Sequence, residues 1–396
     1  MARQFSPLNF FRRTPNVLLA RYFQEKHGVL AEIDFGKLEE GEVESIFHAV
    51  TALADDKQSQ IEAECQVIEG MACQGGVTAL TDEADFHGDK AFPAAVAKLD
   101  GLYGVVMWAF IDHPLYWEGA TLFLHSDNIA ETLWRKRRDL PHLPPLVEAA
   151  DTDRLARAIS EYFSPKQGRA RNCKVEVFRR YDKEYFFAYP EDFARFDPEW
   201  IRDSLSPRAR HPAFEIIFVY SQVEGSLDIY APRNTKFIPE LQQIFASAIL
   251  NFDDLDEFAG DDRVYSLGVL ANRHFVFKYP EDSGIESVAV CSLRLSLLSG
   301  KKRRVTVEAE PKQDPKAVYD LMDKLNLPPY HVIQAKIAVT FTRTPGSRAR
   351  MRNFKIGYPN WCALRHDGRD GIIRTMLADS GIELMTPAAE PASRAA

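Results

Sequence analysis

Four groups of basic residues are the most conspicuous chemistry in the 396-residue sequence. They are Arg135-Lys136-Arg137-Arg138, Lys166 with Arg169 and Arg171, Lys301-Lys302-Arg303-Arg304, and Arg343 with Arg348, Arg350 and Arg352. Clustered guanidinium and ammonium groups neutralise phosphates and release their counterions, which makes each group a candidate contact for a polyanion such as nucleic acid. The last two groups fall at expected hairpin tips, from which side chains reach a groove or follow a backbone. Lys301, Lys302, Arg303, Arg304, Arg343, Arg348, Arg350 and Arg352 are therefore the expected binding residues. The plain alternative is that Arg135 to Arg138 complement the negative end of a helix dipole, and that charged tips keep edge strands from aggregating. The net charge of −8 excludes general coating of nucleic acid or anionic lipid, so any such contact has to be local.

Carboxylates offer the second chemistry. Asp82, Glu83, Asp85, His87 and Asp89 form an acidic run with one histidine, an oxygen-rich composition suited to a divalent cation. The run lacks the turn glycine and closing glutamate of a calcium loop, so a solvated loop is expected rather than a metal site. Asp253, Asp254, Asp256, Glu257, Asp261 and Asp262 read the same way. Glu308-Ala309-Glu310-Pro311-Lys312 has the E-x-K spacing of metal-assisted phosphodiester hydrolysis, but a proline inside that strand would remove a ladder donor. His113 and Glu118 beside Trp108, Tyr116 and Trp117 are either an acid–base pair in an aromatic pocket or core with satisfied polar tips.

Cysteine chemistry is sparse. Cys65, Cys73, Cys173, Cys291 and Cys362 are odd in number and never spaced C-x-x-C, which argues against a disulfide framework and a zinc knuckle. Cys173, between Arg171 and Lys174, is the nearest candidate nucleophile, because adjacent cations lower a thiol pKa. The glycine-rich and nucleophile strings of common nucleotide-dependent and hydrolytic enzymes do not occur, so catalytic residues stay unassigned and no cofactor is implied.

The elements that position these residues change character along the chain. Thr14-Pro15 to Gly28 reads as a capped helix, and Val43, Ile46, Phe47, Val50 and Leu53, then Ile61, Cys65, Ile68 and Ala72, repeat at helical spacing. Asp127 to Arg138 reads as another helix. The apolar stretch Leu102 to Ile111 is about half the ~20 residues of a membrane span, and no secretory leader is visible in Met1 to Asn16. Leu140-Pro141-His142-Leu143-Pro144-Pro145 breaks the pattern as an extended linker, and a domain boundary is expected there.

Beyond it, short strands alternate with helices. Lys174 to Arg180 and Glu184 to Tyr189 suit a strand pair, Pro190 to Leu205 a helical passage, and Phe214 to Ser221 with Ser226 to Ala231 a hairpin. Phe237 to Ile249 carries an apolar helical stripe. After a strand-like pair at Val264 to Tyr279, the order repeats: Val288 to Leu297 with Val305 to Ala309, a helix through Val318 and Leu325, Ile333 to Phe341 with Phe354 to Tyr358, and a last helix stopping at Gly381. Ile333, Ala335, Ile337, Val339 and Phe341 face one side while Gln334, Lys336, Thr340 and Thr342 face the other, so one face of that sheet is wet.

The expected fold class is α+β: a mostly helical N-terminal domain (1–145), two ββαββα-like units with antiparallel sheets covered by helices on one face (146–260 and 261–384), and a flexible tail (385–396). The two units are expected to superimpose. The functional expectation is a cytoplasmic, non-enzymatic binding protein that contacts a polyanion or a protein partner, and no membrane, through its basic hairpins and the polar sheet face. A hydrolase or nuclease with an acidic, aromatic N-terminal site is the first alternative. A subunit of a larger assembly, betrayed by an exposed apolar patch, is the second.

Overall fold

The computed structural model describes residues 5–201, 204–231, 235–253, 255, 263–298, 303–311, 314–342, 351–364 and 368–384. The chain is α+β, with two compact units, Met1–Ile129 and Ala130–Ala396. The first is helical: α1 (Pro7–Arg13), α2 (Asn16–Ala20), α3 (Glu44–Thr51), α4 (Asp55–Met71), α5 (Gln74–Phe86), α6 (Phe92–Val96), α7 (Gly101–Asp112) and α8 (Pro114–Asn128). The helix expected from Pro15 to Gly28 widens after α2 into a π-type turn over Arg21–Lys26. Phe10, Phe11, Leu19, Tyr22, Phe23, Ile46, Ile68, Leu80 and Met107 form one core. No helix among the described residues is long and apolar enough to cross a membrane.

The second unit opens on β1 (Trp134–Arg137), not on the helix expected over Asp127 to Arg138. After α9 (Ala149–Gln167) come β2 (Cys173–Arg180), β3 (Lys183–Pro190), β4 (Arg195–Ile201), β5 (Ser204–Arg210), β6 (Ile216–Ser221), β7 (Ser226–Tyr230) and α10 (Ile238–Leu250). An antiparallel sheet runs β1-β7-β6-β3-β2, and β4 and β5 form a separate hairpin. The passage read as helical over Pro190 to Leu205 is thus a hairpin. Proline at 198 and 207 suits neither a helix interior nor a central strand, but a two-stranded ribbon tolerates it.

Phe186, Phe218, Tyr220 and Ile229 pack in one core with Leu155 and Ile159 of α9 and Leu241 and Phe245 of α10. Tyr185, Phe187, Ile217 and Val219 on the opposite face are buried as well, which explains why β3 and β6 read as continuous apolar runs. The proline stretch is fastened rather than free. Leu140 is buried, its N–H donates to the Gly225 carbonyl at 3.0 Å, and the Tyr220 hydroxyl reaches the carbonyls of Pro141 and Leu143 at 2.7 and 2.9 Å. Gly225 has φ +56° and a side chain there would meet the Leu140 carbonyl at 2.7 Å, so this turn requires glycine.

The second sheet contains β8 (Ile285–Leu297), β9 (Arg304–Glu308), β10 (Tyr330–Phe341), β11 (Met351–Gly357) and β12 (Trp361–Cys362), in the order β12-β11-β10-β8-β9, all antiparallel. α11 (Ala317–Leu325) and α12 (Gly368–Asp379) supply Val318, Met322, Ile373, Met376 and Leu377 to its core. The segment Val264 to Tyr279, read as a strand pair, holds a 3-10 turn at Leu267–Ala271 and only one isolated bridge, Tyr265 to Glu383.

The two sheets are not copies. In the first, β2, β3, β6 and β7 follow one another across the sheet; in the second, β9 is the outer strand and β10 returns beside β8. The connection through α11 is long enough to step over one strand, whereas a tight hairpin is not.

Candidate functional site

Directly opposed residues of an antiparallel ladder share a face, so the cross-strand register fixes what the uncovered side of the second sheet presents. Three successive rows can be read from it. Arg304, Ser296 and His331 form the first, across β9, β8 and β10. Thr306, Arg294, Gln334 and Gly357 form the second, and Glu308, Ser292, Lys336 and Lys355 the third. The residues between them, Leu293, Leu295, Ala335 and Ile356, point into the core.

Four cations thus stand on this face against one carboxylate of the same rows, Glu308, which binds Lys336 at 3.0 Å. That contact comes first among the causes that raise the Lys336 pKa. Arg294, Arg304 and Lys355 are exposed, and among the described residues no carboxylate pairs with them. Neighbouring rows are about 6.8 Å apart along a strand, so the cations reinforce one another within a Debye length of ~10 Å.

Of the residues expected to bind, Arg303 and Arg304 are exposed at the start of β9. Arg352 is not on the open face. It lies opposite Val339, on the covered side, and its guanidinium grips Asp370 at the start of α12 (2.8 and 2.7 Å) and the Ala363 carbonyl (3.2 Å). Lys301, Lys302, Arg343, Arg348 and Arg350 lie outside the described residues. Lys336 was legible from alternation. Arg294 and Lys355 were missed, although the same period of two along Val288 to Leu297 and Phe354 to Tyr358 points to them.

Of the other basic groups, Lys136 and Arg137 are taken up inside the fold, whereas Lys166 and Arg171 are exposed. Lys136 is buried and bound to Glu224 and Glu383 (2.7 and 2.6 Å), and Arg137 is buried against Asp139 at 3.0 Å. Lys183 binds the other oxygen of Glu224 at 2.7 Å, and Arg374 approaches Glu383 at 3.9 Å. Burial alone would raise the Glu224 carboxyl, but Lys136 and Lys183 outweigh it and hold that group well below the usual carboxylate range. This charge cluster lies where the two sheets meet. The Lys136 N–H of β1 donates to the Asn360 carbonyl beside β12 at 2.9 Å. Lys166 sits over the Tyr162 ring, and Arg169 over Phe214.

Two clefts adjoin the open face. One, of about 300 Å³, gathers Cys291, Glu308, Glu310, Lys336 and Asn353. Of the E-x-K spacing, β9 ends at Glu308 before Pro311, Glu308 is met by Lys336, and Lys312 lies outside the described residues. The other, of about 470 Å³, is lined by Tyr265, Ser296, Tyr330, His331 and Tyr358. Its size falls within the range of small-molecule sites.

In the helical unit, the acidic run and the aromatic group come together. His87 and His113 stack on Tyr116, whose hydroxyl donates to Asp89 at 3.2 Å, and Phe92 and Trp108 close the box around His113. Glu83 is buried and Glu118 exposed, and no hydrogen bond or ion pair among the described residues joins His113 to Glu118. No group of three His, Cys, Asp or Glu side chains among the described residues has the arrangement to hold a metal ion. Cys173 does not have a lowered pKa: burial pushes its thiol up to about 12 despite the nearby cations, with a backbone hydrogen bond at Tyr189 opposing weakly.

The fold and this face together describe an α+β protein whose second sheet leaves a basic surface open. Comparison with protein-family models, with curated proteins and with solved structures finds no match.

Proposed function

We propose that the protein is a non-enzymatic binding protein that holds a polyanion, nucleic acid being the natural candidate, against the open face of its second sheet. The observation that carries this reading is the set of three adjacent rows bearing Arg304, Arg294, Lys336 and Lys355 against Glu308, on a chain whose overall charge is −8. On a chain of net negative charge, a basic face favours phosphate contacts there over the rest of the surface. Five free cysteines fit a reducing, cytoplasmic setting.

The test is a salt titration of binding to a single-stranded oligonucleotide. Arg294→Glu with Lys355→Glu should weaken binding and lower the log–log salt slope by about one unit per lost contact. Equal affinity in the double variant, or no binding by the unaltered protein at low salt, would overturn the reading and favour a protein partner.

A further inference from the structure

The β4–β5 hairpin has a second surface, independent of the basic face. Its register places Phe196 opposite Ala209, Pro198 opposite Pro207 and Trp200 opposite Leu205, so these six residues share one face. All six are exposed: Phe196 retains 73% of its accessible area, Trp200 70% and Leu205 54%. The other face is polar and closed on itself, with Arg195 bound to Asp197 at 3.2 Å and Arg210 and Arg208 to Glu199 at 2.5 and 3.8 Å. An isolated two-stranded ribbon is marginally stable in water, and a wholly apolar face on one is costly unless something covers it.

The covering element has to approach the face rather than an edge. Each strand carries a proline, Pro198 on one and Pro207 on the other, and each removes an edge N–H that a further strand would need. The apolar face is also asymmetric in a way that suits a copy of itself. The β4 side is bulky, with Phe196 and Trp200; the β5 side is lower, with Ala209, Pro207 and Leu205. A twofold axis running along the strands, midway between two such faces, lays β4 of each copy over β5 of the other. Phe196 then faces the place of Ala209, and Trp200 that of Leu205, ridge into trough. The polar faces, already paired internally, stay in water.

We infer that the β4–β5 hairpin is a self-association arm, and that its apolar face docks on the same face of a second copy of this chain. The exposed fractions leave on the order of 400–500 Å² of apolar surface on each copy, given the 150–250 Å² that a buried aromatic side chain covers. Pairing therefore buries roughly 800–1,000 Å², below the size of standard specific interfaces and within that of weak, transient ones. The dimer should be weak, with a dissociation constant around micromolar.

Sedimentation velocity of the full chain over a range of concentrations tests this. The 45.0 kDa chain should pass from monomer to dimer, and Phe196→Glu should stay monomeric with an unchanged circular dichroism spectrum. Because Phe196→Glu keeps Trp200, its tryptophan emission should remain red-shifted at concentrations where the unaltered protein shifts to the blue. A monomer at all concentrations overturns the inference. So does a dimer that Phe196→Glu leaves intact, and so does a blue shift of the monomer caused only by added anionic vesicles.

Discussion

Replacing Lys136 by methionine removes one cation from the cluster at the junction of the two sheets and leaves a side chain of similar length. Glu383, itself buried, would lose its 2.6 Å partner and keep Arg374 at 3.9 Å, and Glu224 would keep Lys183 and the Ser226 hydroxyl. Breaking a buried ion pair from one side costs about 3–5 kcal/mol, because the remaining charge has no water to turn to. For a unit of this size, about 2–4 °C of Tm per kcal/mol gives a fall of roughly 10 °C. The pH window has two sides. The folded Glu224 pKa is depressed, so its contribution is present above about pH 4.3 and is lost as pH falls further. The Lys136 pKa is raised against the pull of burial by Glu383 and Glu224, so its contribution is present below about pH 10.4 and is lost above it. Asp228, whose pKa burial raises, works in the opposite direction and narrows the acid side. Thermal denaturation followed by circular dichroism is the assay, with Lys355→Met as the same chemical change at an exposed position. If Lys136→Met melts within about 2 °C of Lys355→Met, the difference expected of ordinary surface substitutions, the cluster does not join the sheets.

Two further outcomes follow from individual residues. Cys173, with its thiol pushed up to about 12, should alkylate far more slowly at pH 7.5 than a free thiol of ordinary pKa, and rapid labelling located by peptide mass spectrometry would refute the raised pKa. Arg352→Ala should lower stability by about 1–3 kcal/mol through loss of the Asp370 fork, yet leave polyanion affinity unchanged. Reduced affinity at full stability would mean that Arg352 faces the ligand after all.

How much of this was legible depended on whether the deciding interactions were local. The alternation Ile333 to Phe341 gave β10 and its wet side, and the stripe Phe237 to Ile249 gave α10, because periodicity is carried by the residues themselves. Arg135 to Arg138 misled for the opposite reason. Burying Lys136 requires Glu224 and Glu383, 88 and 247 positions away, and no local pattern announces such partners. Arg352 misled similarly, since Asp370 claims it from another element. The β4–β5 hairpin was hidden because its prolines and acidic turns read as a helical passage, although Phe196, Pro198 and Trp200 alternate with Arg195, Asp197 and Glu199 at a strand's period. The basic open face was partly legible: Lys336 was placed on the wet side of its strand but not among the expected binding residues, and Arg294 and Lys355 became a group with it only once the register set them side by side.

The most direct test of the polyanion face is lysine acetylation footprinting with and without a single-stranded oligonucleotide at low salt. Lys355 and Lys336 should be protected by the bound strand. Lys324, exposed on α11, and Lys37, 85% exposed in the helical unit, should not be. Protection spread equally over all four, or absent from Lys355, would contradict the account.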